Sequence, residues 1–86
     1  MKQLFVIVSR GINDSVKTVV VDDFVEACAT QLGILTGVSA DIAKVTLKSE
    51  DIETVKDNLE KYGRDRLAND EEEVYIFLMP KRDKMR

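Results

Sequence analysis

Two runs, one near each end of the chain, contain almost nothing that calls for solvent: Leu4-Phe5-Val6-Ile7-Val8 and Val74-Tyr75-Ile76-Phe77-Leu78-Met79. A strand with one wet face alternates apolar and polar residues. A run without alternation fits a strand covered on both faces, in the middle of a sheet. Neither run approaches the roughly 20 apolar residues of a membrane span. The first and last strands are therefore predicted to sit centrally, with the intervening chain supplying the outer strands and the helices.

Between them the signals come in order. Gly11-Ile12-Asn13-Asp14-Ser15 has turn chemistry, and Val16 to Val21 reads as the return strand of a hairpin. Asp23 is placed to cap a helix, with Glu26 at its third position. Phe24, Cys28, Gln31, Leu32 and Leu35 form the helix's buried stripe, and Gly37 ends it better than Gly33 does. Ala43, Val45 and Leu47 alternate with Lys44, Thr46 and Lys48, which predicts an edge strand over 42–47; a short helix starting at Ser39 is the other reading. Ser49 is expected to cap a second helix with Ile52, Val55, Leu59 and Tyr62 buried, Glu50, Asp51 and Glu53 near its N-terminus, and Gly63 as its stop. Residues 64–73 read as a polar connection, and Pro80 closes the last strand.

The predicted order is β-β-α-β-α-β. It implies one α/β (α+β) domain over residues 1–80, a four-stranded mixed sheet with two helices in a two-layer sandwich, and a right-handed crossover. The basic stretch 81–86 is expected to be a flexible tail. With both helices on one side, the other face of the sheet would remain apolar. A second protomer or a target protein would cover it, so a homodimer is expected.

The chemistry is defined by what the 86 residues lack: there is no histidine, one cysteine, and no glycine-rich phosphate loop. Proton shuttles, nucleophilic triads and most transition-metal sites lose their usual carriers. A non-enzyme without cofactor or metal is expected. Cys28 reads as a small buried hydrophobe. A lone cysteine forms no internal disulfide, and no signal peptide precedes the first strand, so the cytoplasm is the expected compartment. Asp22-Asp23 suits capping. Asp70-Glu71-Glu72-Glu73 suits a solvated loop, with divalent-cation binding as the sharper alternative and no EF-hand spacing in either run. Arg10 beside Ser9 and Gly11 is a minor candidate for an anion site.

Charge is unevenly distributed. Residues 1–48 are neutral overall, residues 49–73 carry a net −6, and residues 74–86 carry a net +3. An acidic surface steers a basic protein partner and repels nucleic acid. Glu53, Asp57, Glu60, Asp70, Glu71, Glu72 and Glu73 are the candidate partner-binding residues. The alternative is an RNA-binding module using Arg64, Arg66, Lys81, Arg82, Lys84 and Arg86, with Phe5, Tyr75 and Phe77 on the central strands as stacking aromatics. Core packing is the default role for those rings, and the usual RNA-recognition signature is missing. A small-ligand regulatory domain, dimeric through its sheet, is a third reading.

The opening apolar strand, the Asn- and Ser-bearing turn, the second strand and the helix containing Val25-Glu26-Ala27-Cys28-Ala29-Thr30-Gln31 resemble the layout of Dmd-like antitoxins. These are small early proteins of T4-type phages that block host toxin ribonucleases. The likeness covers about the first 35 residues. It implies a non-enzymatic, anti-defence toxin inhibitor working by protein–protein interaction in the host cytoplasm, and it assigns no functional residue.

Overall fold

The computed structural model describes residues 3–79. Its elements are β1 (Phe5–Gly11), β2 (Val16–Val21), α1 (Phe24–Thr36), α2 (Ala40–Thr46), α3 (Ser49–Tyr62), β3 (Arg64–Ala68) and β4 (Glu72–Leu78). The four strands form one sheet in the order β2-β1-β4-β3, with every neighbouring pair antiparallel. The two apolar runs are thus the central strands and lie side by side, Ile7 opposite Ile76.

The inward faces of these strands meet the helices. Phe5, Ile7, Val74 and Ile76 pack with Ala27 and Cys28 of α1 and with Val55 and Leu59 of α3. Phe5 lies against Phe24, ring centroids 5.7 Å apart. α2 makes its contacts on α1, burying Ala43. The result is the expected α+β sandwich: a four-stranded sheet with helices on one side.

Local signals set most boundaries. Asp23 caps α1 by accepting the Glu26 N–H at 2.9 Å, and Gly37 and Gly63 close α1 and α3 in the left-handed conformation, each at φ 76°. In the β1–β2 turn the positive φ falls on Asp14 rather than on Gly11, and Asn13 Oδ1 accepts the N–H and hydroxyl of Ser15. Aspartate tolerates this region because its short side chain bonds locally.

The third strand differs from expectation, while the expected second helix is present as α3 and differs at its cap and at Tyr62. Residues 42–47 do not form a strand: Ser39 caps α2 through the Ile42 N–H, and Val45 is left 85% exposed. Seven residues are too few for the periods of two and 3.6 to separate, and Ser39 with Ala43 decides for helix. The outer strand is instead β3, inside the stretch that reads as a polar connection. Its inward positions carry Asp65 and Leu67, so no apolar alternation announces it. β3 and β4 form a hairpin around Asn69, whose Oδ1 accepts the N–H groups of Glu71 and Glu72. Among the described residues the sheet is therefore antiparallel throughout rather than mixed, the right-handed crossover is absent, and all three helices join one sheet edge to the other. Lys48, without a side-chain bond, occupies the cap of α3 in place of Ser49, and Tyr62 is exposed rather than buried. The tail at 81–86 lies outside the described residues, and no helix among those described is long and apolar enough to cross a membrane.

Candidate functional site: an uncovered sheet face

Strand alternation sends every second side chain away from the helices, and the register aligns them in rows. The first row runs Val20, Val6, Phe77, Arg64; the second Thr18, Val8, Tyr75, Arg66; the third Val16, Arg10, Glu73, Ala68. Among the described residues no helix covers this face. Val6, Val8, Tyr75 and Phe77 are half-buried by their neighbours alone, while Val16 and Val20 are exposed.

Tyr75 and Phe77 stand stacked on one another, centroids 5.5 Å apart and 13° from parallel. Each ring thereby covers a face of the other. Around them lies a polar fringe. Glu73 Oε1 accepts hydrogen bonds from Arg66 Nε at 3.0 Å and from the Tyr75 hydroxyl at 3.1 Å. Arg66 first, then Tyr75, holds the Glu73 carboxyl below its ordinary range. Arg10 pairs with Asp14 at 3.0 Å and reaches Glu73 at 4.0 Å. Arg64 carries no ion pair among the described residues. The face is an apolar, aromatic centre with a mostly self-neutralised rim.

The candidate residues separate. Glu53, Asp57 and Glu60 are exposed on α3, joined there by Glu50 at helical spacing. Asp70 and Glu71 lie at the β3–β4 turn, Glu72 is half-buried at the start of β4, and Glu73 belongs to the open face. The seven acids thus do not make one surface. Arg64 and Arg66 share the open face with Tyr75 and Phe77, but Phe5 is buried in the core on the other side. Ser9 and Arg10 point to opposite faces, so they build no common anion site. Lys81, Arg82, Lys84 and Arg86 lie outside the described residues.

A polar cluster on the helix side escapes sequence reasoning. Asp65 is 5% exposed and accepts from Gln31 Nε2 at 2.9 Å and Asn58 Nδ2 at 2.6 Å; Gln31 also donates to the Val74 carbonyl at 3.1 Å. A cavity of about 340 Å³ adjoins it, lined also by Leu47, Asp51, Thr54 and Val55. These bonds tie α1, α3, β3 and β4 together. The members are 34 and 7 residues apart in the chain, so no local pattern reveals them.

Cys28 borders this cluster. Burial first, then the charges of Asp65 and Asp23, push its thiol up to about 11 from 9.0. At neutral pH it is a protonated hydrophobe without nucleophilic character. Its folded value exceeds its unfolded one, so its contribution is complete below pH 9 and is lost as pH climbs toward 11. Urea denaturation should show the stability advantage of the native chain over Cys28→Ala shrinking by about 1 kcal/mol between pH 9 and 10. Parallel curves for the two proteins would refute that assignment.

Comparison with family models, curated proteins and solved structures finds no match to this chain.

Proposed function

We propose that this chain is a non-enzymatic protein-binding factor that engages its target through the open face of the sheet. The toxin-ribonuclease inhibitor role implied by the resemblance to Dmd-like antitoxins is the specific form of this reading. The observation that carries it is the uncovered centre made by Val6, Val8, Val20, Tyr75 and Phe77. An apolar core with aromatics and a rim of arginine is the anatomy of a protein interface. The acidic stripe of α3, on the opposite layer, adds long-range attraction toward a basic target.

RNA fits the same face less well. A stacking platform needs free ring faces and free cations. Here each ring has one face taken up by the other, and Arg10 and Arg66 are held by Asp14 and Glu73. Of the arginines on this face among the described residues, Arg64 alone carries no ion pair and favours the RNA reading.

The test uses purified toxin endoribonucleases and a cleavage assay. The native chain should suppress cleavage by its cognate toxin. Val8→Asp, which places a charge at the centre of the face, should weaken inhibition about 30-fold, the effect of losing about 2 kcal/mol at an interface hot spot. Circular dichroism should confirm that the variant stays folded. Undiminished inhibition by folded Val8→Asp would reject this surface. Tight binding of single-stranded RNA at low salt, abolished by Arg64→Ala, would replace the protein reading with the RNA one.

A further inference from the structure

We infer that β2 is the edge through which two copies of this chain pair, antiparallel about Thr18, to form one continuous eight-stranded sheet from two four-stranded ones. The inference concerns the edge of the sheet rather than its open face, and it stands independently of the proposed target.

The two edges of the sheet are built differently. β3 carries Arg64, Asp65 and Arg66 in five residues, and charge on an edge strand discourages pairing with another chain. β2 reads Val-Lys-Thr-Val-Val-Val, with one charge, no proline and high strand propensity. It is also bare: Val16, Val20 and Val19 are 60%, 49% and 38% exposed. Such an edge is a template for another strand.

The ladder shows what that edge offers. Gly11 N–H donates to the Ser15 carbonyl at 3.0 Å, and Met79 N–H donates to the Leu4 carbonyl at 3.0 Å. Odd-numbered residues of β1 therefore bond toward β2, and even-numbered ones toward β4. Along β2 the register then directs Lys17, Val19 and Val21 to β1. The N–H and C=O groups of Val16, Thr18 and Val20 face outward, and no strand among the described residues receives them.

A second copy satisfies this set. Rotated half a turn about an axis through Thr18, β2 sets Val16 against the partner's Val20, Lys17 against the partner's Val19, and Thr18 against the partner's Thr18. Every outward backbone group of β2 gains a mate, and across residues 16–20 no like charges face each other directly. Because the axis is perpendicular to the sheet, the open faces of both copies lie on one side and join. An edge pairing buries less than the roughly 1,200 Å² of a standard interface, so the dimer is concentration-dependent.

Sedimentation equilibrium on the full chain, over a concentration series reaching the high micromolar range, should show the mass rising from 9.7 kDa toward twice that value. Thr18→Lys sets ammonium against ammonium across the axis and should weaken association at least about tenfold, with the fold intact. Thr18→Cys should oxidise to a covalent dimer. Val16→Cys should not, because its copy lies about 13 Å away along the strand. A monomer at every concentration, or a Val16→Cys cross-link as efficient as that of Thr18→Cys, overturns the inference. A dimer that survives Thr18→Lys but is lost with Val8→Asp overturns it as well, and assigns self-association to the open face.

Discussion

Asp65→Ala should lower the free energy of unfolding by about 3 kcal/mol, a large share of what a domain of this size holds in reserve. The carboxylate is buried and accepts from two side-chain amides, Gln31 and Asn58, borne on α1 and α3. Truncation leaves Asn58 Nδ2 without this acceptor beside the cavity and leaves Gln31 with only the Val74 carbonyl. An orphaned buried donor costs about 1–3 kcal/mol, and bonds to a charged acceptor are the stronger kind. Asp65→Asn keeps the shape yet turns one acceptor into a donor facing a donor, so it should cost about 2 kcal/mol despite its conservatism. Equilibrium denaturation of Asp65→Ala, Asn58→Ala and the double variant checks the cause. The coupling energy of that cycle should exceed about 1 kcal/mol, and strict additivity would mean that the bonds contribute nothing specific.

Gly33→Ala should destabilise the protein by about 2 kcal/mol, opposite in sign to the usual gain from replacing a helix-interior glycine. Gly33 is buried within α1, and a Cβ there would lie 2.7 Å from the Val38 carbonyl oxygen and 3.2 Å from that of Ser39. Those atoms are backbone, held by the Val38 N–H bond to the Gly33 carbonyl at 2.9 Å and by the start of α2. The missing side chain is what lets the chain fold back after Gly37 and dock α2 on α1. Thermal melts should show a lower midpoint for Gly33→Ala, and a midpoint at or above that of the native chain would mean the turn yields freely. An exposed control, Val45→Ala, should change stability by less than about 0.5 kcal/mol.

These two positions mark how far local reading carries. Gly33 is visible as a glycine in a helical stripe, but its necessity depends on the path of the backbone five residues later. Asp65 looks like one more charge in a polar stretch, and only Gln31, reaching across from α1, gives it meaning. The misassigned residues 42–47 fail for a related reason. Alternation over so short a span suits an edge strand and an amphipathic helix alike, and docking on α1 makes the choice.

The open face was partly legible. Strands apolar on both sides, with helices on one side only, require an uncovered surface, as the sequence alone implies. Its composition depends on the tertiary fold. Arg64 and Arg66 join Tyr75 and Phe77 only once β3 is recognised as a strand, and the division of the acidic residues between α3, the hairpin turn and Glu73 depends on the same step.

Sequence by itself determined the elements whose signals are local and strong: the two central strands, the hairpin after the first, and the ends of α1 and α3 at Asp23, Gly37 and Gly63. In each, a few adjacent side chains or one glycine's freedom outweigh competing conformations. Tertiary structure alone decided the identity of the outer strand, the helical state of 40–46, the buried carboxylate and the makeup of the bare face. There the energies come from contacts between residues distant along the chain, and such contacts leave no periodic trace in it.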